Sequence, residues 1–200
     1  MPTTKIKRGY RKTRYILYKE TLIDFKEHFW SFIGSFVGIG LIAYSQSFHF
    51  SQQDAIYLIG SFGASSVLVY GIIDSPFSQP RNLIGGHLIS AFIGVTVHLL
   101  FPETVYIAAP LAVSLSIVLM QITKTLHPPG GATALIAIIG TEKIKDLGYW
   151  YVLSPVLTGV LILFFTALIF NNMTSSRKYP THSTYHKRYL RILKRLNKTN

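Results

Sequence analysis

The 200-residue chain is 49% hydrophobic and 14% charged, with a mean hydropathy of +0.34, a composition that fits a polytopic membrane protein and excludes an ordinary water-soluble domain. Its net charge of +12 is concentrated at the two ends; basic tails bounding an apolar body follow the positive-inside rule and argue against nucleic-acid binding. The absence of cysteine excludes a disulfide framework, a thiolate metal site and a cysteine nucleophile.

Residues 1–28 form a basic segment in which Tyr15, Tyr18, Leu22 and Phe25 share one helical face with Phe29, the pattern of an interfacial helix on anionic lipid. No cleavable signal peptide is expected, because the first apolar run opens only near Phe29 and lacks a small-residue cleavage site. The membrane domain, residues 29–171, then holds six apolar segments: Phe29 to Ser45, Ala55 to Gly71, Leu83 to Phe101, Val105 to Ile122, Pro128 to Gly140 and Trp150 to Phe170. The fifth is too short to span: its regular part, from Pro129 to Gly140, extends about 18 Å as a helix against an apolar core of about 30 Å. It reads as a half-helix or one limb of a broken element. Residues 172–200 are again basic, and Tyr185, Tyr189, Ile192, Leu193 and Leu196 form an apolar stripe opposite Lys187, Arg188, Arg191, Lys194 and Arg195, a second candidate surface for anionic lipids.

Two basic ends predict an even number of crossings with both termini cytoplasmic, in the cytoplasmic membrane of a bacterium. Six crossings place Arg81 and Lys124 inside, whereas four crossings with two re-entrant hairpins leave them outside; six is favoured. The block from Gly63 to Gly71 resembles that from Gly131 to Gly140 in its order of residue types. An all-α fold built as a 3+3 inverted repeat with short or broken helices follows, since an odd number of crossings per unit inverts the second copy. The competing explanation is that Gly-Ala-Ser/Thr recurs wherever membrane helices pack tightly.

Function is sought in Gln121 to Gly140, where lysine, histidine, two prolines and two glycines interrupt apolar sequence. Broken backbone at membrane depth is tolerated where protein or a watery cavity satisfies its amides. Pro128 and Pro129 suit a first helical turn, Gly130 and Gly131 admit a ligand to bare backbone, and a half-helix starting there would aim its free N–H groups and the Thr133 hydroxyl at an anion. Gly63, Ser65 and Ser66 are expected to supply a second, facing helix start. Lys124 and His127, three residues apart, are candidates for a polar path, in which Lys124 faces water, a carbonyl or a bound anion; the competing reading has Lys124 snorkelling to the interface and His127 capping backbone. Arg81 and Asn82 lie in a loop, where Arg81 either anchors the cytoplasmic surface or gathers anions at the mouth, and His87 is a pathway or interhelix hydrogen-bonding residue.

A rival reading joins His87, His98 and His127 in a three-imidazole metal site, although neither H-x-x-H nor H-x-x-x-H spacing is present. A third treats the chain as a scaffold that uses the small-residue face of Gly34 and Gly38 for contact within the chain or with a second copy. No nucleophile elbow or phosphate loop supports an enzyme, and no cofactor is expected.

The strings His127-Pro128-Pro129-Gly130-Gly131-Ala132-Thr133-Ala134, Gly60-Ser61-Phe62-Gly63-Ala64-Ser65 and Ser78-Gln79-Pro80-Arg81-Asn82-Leu83-Ile84-Gly85-Gly86-His87 together resemble the HPP family of integral membrane proteins over residues 29–170. Some members of that family look like nitrite transporters of plastids and cyanobacteria. The resemblance therefore implies transport of nitrite or a similar small anion, with no enzymatic step.

Overall fold

The computed structural model describes residues 25–181, and every regular element among them is helical. The amphipathic stripes predicted upstream of residue 25 and from residue 185 onward lie outside the described residues. Helix α1 is Phe25–Ser47 and α2 is Gln52–Ser66, extended by the π-helical turn Val67–Gly71; α3 is Pro80–Leu100, α4 Val105–Ile122, α5 Pro129–Ile139 and α6 the short Glu142–Lys145. The last helix, α7, is Thr158–Phe170 and is entered through the π-helical stretch Val152–Leu157.

Local chemistry sets these boundaries. A capping box starts α2: the Ser51 hydroxyl accepts from the Asp54 N–H at 3.3 Å while the Asp54 carboxylate accepts from the Ser51 N–H at 3.1 Å. Helix α3 opens on Pro80, which has no N–H to leave unpaired. Helix α4 stops where Lys124 turns left-handed at φ 57°, and α7 is kinked at its entrance because Ser154 is extended (φ −139°, ψ 120°) ahead of Pro155.

Contacts at the helix termini define two ends of the bundle. At one, the Arg177 guanidinium donates to Glu27 O (2.9 Å), Ser31 Oγ (2.8 Å), Tyr70 O (2.6 Å) and Asn171 Oδ1 (2.8 Å), tying together the start of α1, the end of α2 and the end of α7. The same end holds the start of α3 and the end of α4, since Arg81 donates to Thr123 O at 2.7 Å, and Tyr179 reaches the loop before α3 through Ser78 O at 2.7 Å. At the opposite end the Thr141 hydroxyl donates to the Asp54 carboxylate, Thr96 bonds Tyr149 at 3.1 Å, and the Lys143 ammonium lies 5.6 Å from the Phe50 ring centroid. Helices α1 to α5 and α7 therefore all run between the same two ends. Phe25–Ser47, Pro80–Leu100, Val105–Ile122 and Val152–Phe170 are long and apolar enough to cross a membrane; α2 and α5 pass alongside them as shorter apolar helices.

The α1–α2–α3 unit runs opposite in direction to α4–α5–α7. Helix α1 packs on α2 and α7 as α4 packs on α5 and α3, and α2 meets α5 in the middle. The correspondence weakens where α3 lies along α5 far more closely than α7 lies along α2. The face of Gly34 and Gly38 is used within the chain: a Cβ on Gly34 would stand 2.8 Å from Tyr70 Cδ1, and one on Gly38 would collide with the Tyr70 hydroxyl.

Candidate functional site

Close helix packing brings the quoted motifs together. The first turns of α3 lie against the non-helical stretch that follows α4. There the Asn82 amide donates to Leu126 O at 2.7 Å, and a Cβ on Gly86 would stand 2.9 Å from Thr125 O and nearer still to His127 Cβ. One turn further along α3, Gly130 fills a gap in which a Cβ would be 2.8 Å from Ser90 Oγ and 3.0 Å from Gly86 O. These glycines let backbone pass backbone. They hold His87 and His127 against each other beside α2, with ring centroids 4.9 Å apart, the ring planes tilted by 54° and both residues fully buried.

A continuous hydrogen-bonded chain joins the two rings to three hydroxyls. Ser61 Oγ lies 2.7 Å from Thr133 Oγ1, Thr133 Oγ1 lies 2.7 Å from His87 Nδ1, His87 Nε2 lies 2.7 Å from Ser65 Oγ, Ser65 Oγ lies 3.0 Å from His127 Nε2, and His127 Nδ1 lies 2.8 Å from Phe77 O. Ser65 and Ser61 come from α2 at i, i+4 spacing, His87 from α3 and Thr133 from α5. Tyr151 closes the side toward α7 by donating to Thr133 O at 3.0 Å. All these side chains are buried, as unpaired polar groups in apolar surroundings cannot afford to be.

Of the residues expected at the site, the structure assembles Ser65, His87, His127 and Thr133, with Gly130 packed beside them. The predicted anion cradle is not formed. Pro128 and Pro129 have no N–H, and the amides of Gly130 and Gly131 already donate to His127 O (2.8 Å) and Pro128 O (3.0 Å), so the start of α5 presents no free donors from these residues. Gly63 lies in the interior of α2 rather than at a helix start, and Ser66 spends its hydroxyl on Gly63 O at 2.8 Å; the facing second terminus is absent. Gly131 is only partly buried, its nearest side-chain neighbour being Val113 at 3.8 Å from a built Cβ. Lys124 is exposed on its left-handed turn instead of buried opposite an anion, because the apolar helix ends just before it. Arg81 and Asn82 stand in the first turn of α3 rather than in a loop, because Pro80 opens the helix just before them, and they brace the Thr123–Leu126 stretch at the surface. His98 lies at the far end of α3, so the three histidines of the metal reading do not converge, and no cluster of ligands suited to a metal ion occurs among the described residues. Ser61, Tyr151 and the Phe77 carbonyl were missed; only the i, i+4 pairing of Ser61 with Ser65 was visible in the sequence.

The HPP transmembrane-region model matches residues 20–180. Two transmembrane proteins of Dictyostelium discoideum are similar to the chain: one is 45% identical over 165 residues, covering 80% of this chain and 56% of the relative, and the other is 44% identical over 160 residues, covering 78% and 51%. The chain thus spans about half the length of the curated relatives it matches. Neither relative carries the bacterial placement expected from the sequence. No solved structure matches. By the family match and these relatives, the chain belongs to the HPP family of integral membrane proteins.

Proposed function

We propose that this chain transports a small monovalent anion, nitrite or one like it, across the membrane through the buried centre formed by Ser65, His87, His127 and Thr133. The observation that carries the proposal is the placement of this centre: the residues of three separated motifs meet where α2, α3 and α5 cross, enclosed by apolar helices. A purely structural scaffold has little use for two fully buried imidazoles, since apolar side chains would fill the same space without demanding partners. With the Gly130 and Gly131 amides already committed, an anion would be held by hydroxyl and imidazole N–H donors that exchange one another for the substrate. The basic end, with Arg81, Lys124 and Arg177, is assigned to the cytoplasm and raises the local anion concentration at the mouth. No catalytic role is assigned.

The test is flux into liposomes reconstituted with the purified chain, compared with empty liposomes, for nitrite, nitrate, formate and chloride. Protein-dependent movement of nitrite or another of the small anions supports the proposal. Equal leakage with and without protein for the whole panel refutes it.

A further inference from the structure

The hydrogen-bonded chain has a polarity that follows from its last link. Phe77 O can only accept, so His127 Nδ1 must carry the hydrogen. With each ring carrying one N–H, His127 Nε2 is then an acceptor and takes the Ser65 hydroxyl hydrogen, for which it is the nearer acceptor at 3.0 Å, Ser61 O lying at 3.2 Å. Ser65 Oγ, having given its only hydrogen away, accepts from His87 Nε2, which leaves His87 Nδ1 to accept from Thr133. Thr133 Oγ1 in turn accepts from Ser61 at 2.7 Å, nearer to the Ser61 hydroxyl than its other acceptor, Pro129 O at 3.1 Å. Every hydrogen in the chain points the same way, from Ser61 in mid-bundle to Phe77, which is exposed at the basic end. The Lys145–Glu142 ion pair reaches neither ring; the groups that touch the imidazoles are the other imidazole, Phe62, Ser65, Gly86, Thr133 and the Phe77 carbonyl. Nothing there fixes a charge on either histidine.

We infer that this chain is a proton relay that couples substrate movement to the movement of a proton toward the basic end, an inference that rests on the transport reading and names its coupling ion. A proton from solvent, reaching Ser61 Oγ when the centre opens to the far end, displaces the Ser61 hydrogen to Thr133 and the Thr133 hydrogen to His87 Nδ1. His87 then gives up its Nε2 hydrogen to Ser65, Ser65 gives its hydrogen to His127 Nε2, and the Nδ1–H of His127 leaves to water beside Phe77. One O–H or N–H bond forms for each that breaks, and the net result is one proton moved. Both imidazoles finish as the opposite tautomer. In that state His127 Nδ1 faces Phe77 O with two lone pairs opposed, so the relay must be rotated back before it conducts again, which ties each proton to one conformational cycle.

Proteoliposomes holding an internal pH dye report proton and nitrite movement together. The parental protein is expected to move nitrite with about one proton in the same direction. Ser65→Ala, which deletes only the hydroxyl between the rings, and Thr133→Val, which cuts the chain before His87, should lower proton movement at least tenfold, while Thr133→Ser retains it. Should Ser65→Ala fail to insert, the Thr133 pair decides. Nitrite flux without proton movement in the parental protein, or full coupling in both Ser65→Ala and Thr133→Val, would overturn the relay and leave the transport reading standing. Proton movement that both variants abolish, with no anion flux, would sustain the relay and sink the anion.

Discussion

Gly86→Ala tests whether the motifs are joined by packing. On an ordinary helix the substitution is favourable, because Ala is better than Gly by about 1 kcal/mol in a helix interior. At this position the new methyl would lie 2.9 Å from the Thr125 carbonyl oxygen and closer to His127 Cβ, and both atoms belong to or adjoin backbone that cannot swing aside. Relieving that overlap means pushing α3 from the stretch that carries His127, an overpacking cost of about 1–3 kcal/mol that cancels or exceeds the propensity gain. Gly60→Ala is the matched control, since a Cβ there meets nothing within 4 Å. Thermal unfolding in detergent, followed by tryptophan fluorescence, should show Gly60→Ala stabilised and Gly86→Ala destabilised, separated by about 2 kcal/mol. Gly86→Ala as stable as Gly60→Ala would refute the contact between α3 and the His127 stretch.

Replacing Arg177 by Met keeps an apolar stem but strands Asn171 Oδ1 and leaves Tyr70 O with the Ser31 hydroxyl alone, and should cost about 2–4 kcal/mol in the same unfolding assay, since hydrogen bonds to a buried charge are each worth more than neutral ones. Lys124→Gly relieves a left-handed residue on an exposed turn and should stabilise by about 0.5–1 kcal/mol, measured as a raised midpoint. For topology, cysteines placed singly at the exposed Asp74 and Lys124 should react with an impermeant maleimide from one side of the membrane, and those at Glu103 and Glu142 from the other. Glu142 reacting from the same side as Asp74 and Lys124 would refute the six-pass arrangement in favour of two re-entrant hairpins.

The fold was legible where composition and local chemistry decide it. Six apolar segments appear as helices near their expected places, and the shortness of α5 follows from Pro129 at its start and Gly140 at its end. The break in the first unit was misplaced: Gly63-Ala64-Ser65 looked like a helix start, but the capping box at Ser51 and Asp54 nucleates α2 earlier and the helix runs through the glycine unbroken. At the site, His87, His127, Ser65 and Thr133 were legible as residue types that are costly to bury. Their mutual bonding was not, because it depends on how closely Gly86 and Gly130 let α3 and α5 approach. For Lys124 the sequence left a buried and an interfacial position equally open, and the left-handed turn that carries it outward decides for the interfacial one.

Nitrite flux into liposomes containing His87→Gln or His98→Gln tests most directly whether the buried centre is the transport site. The two residues are the same type on the same helix, one in the hydrogen-bonded centre and one a partly exposed residue near the far end. With both variants inserted equally, His87→Gln should lose at least nine-tenths of the flux, an order-of-magnitude expectation for removing a buried link in the centre, and His98→Gln should keep the parental rate. Parental flux in His87→Gln would contradict the account.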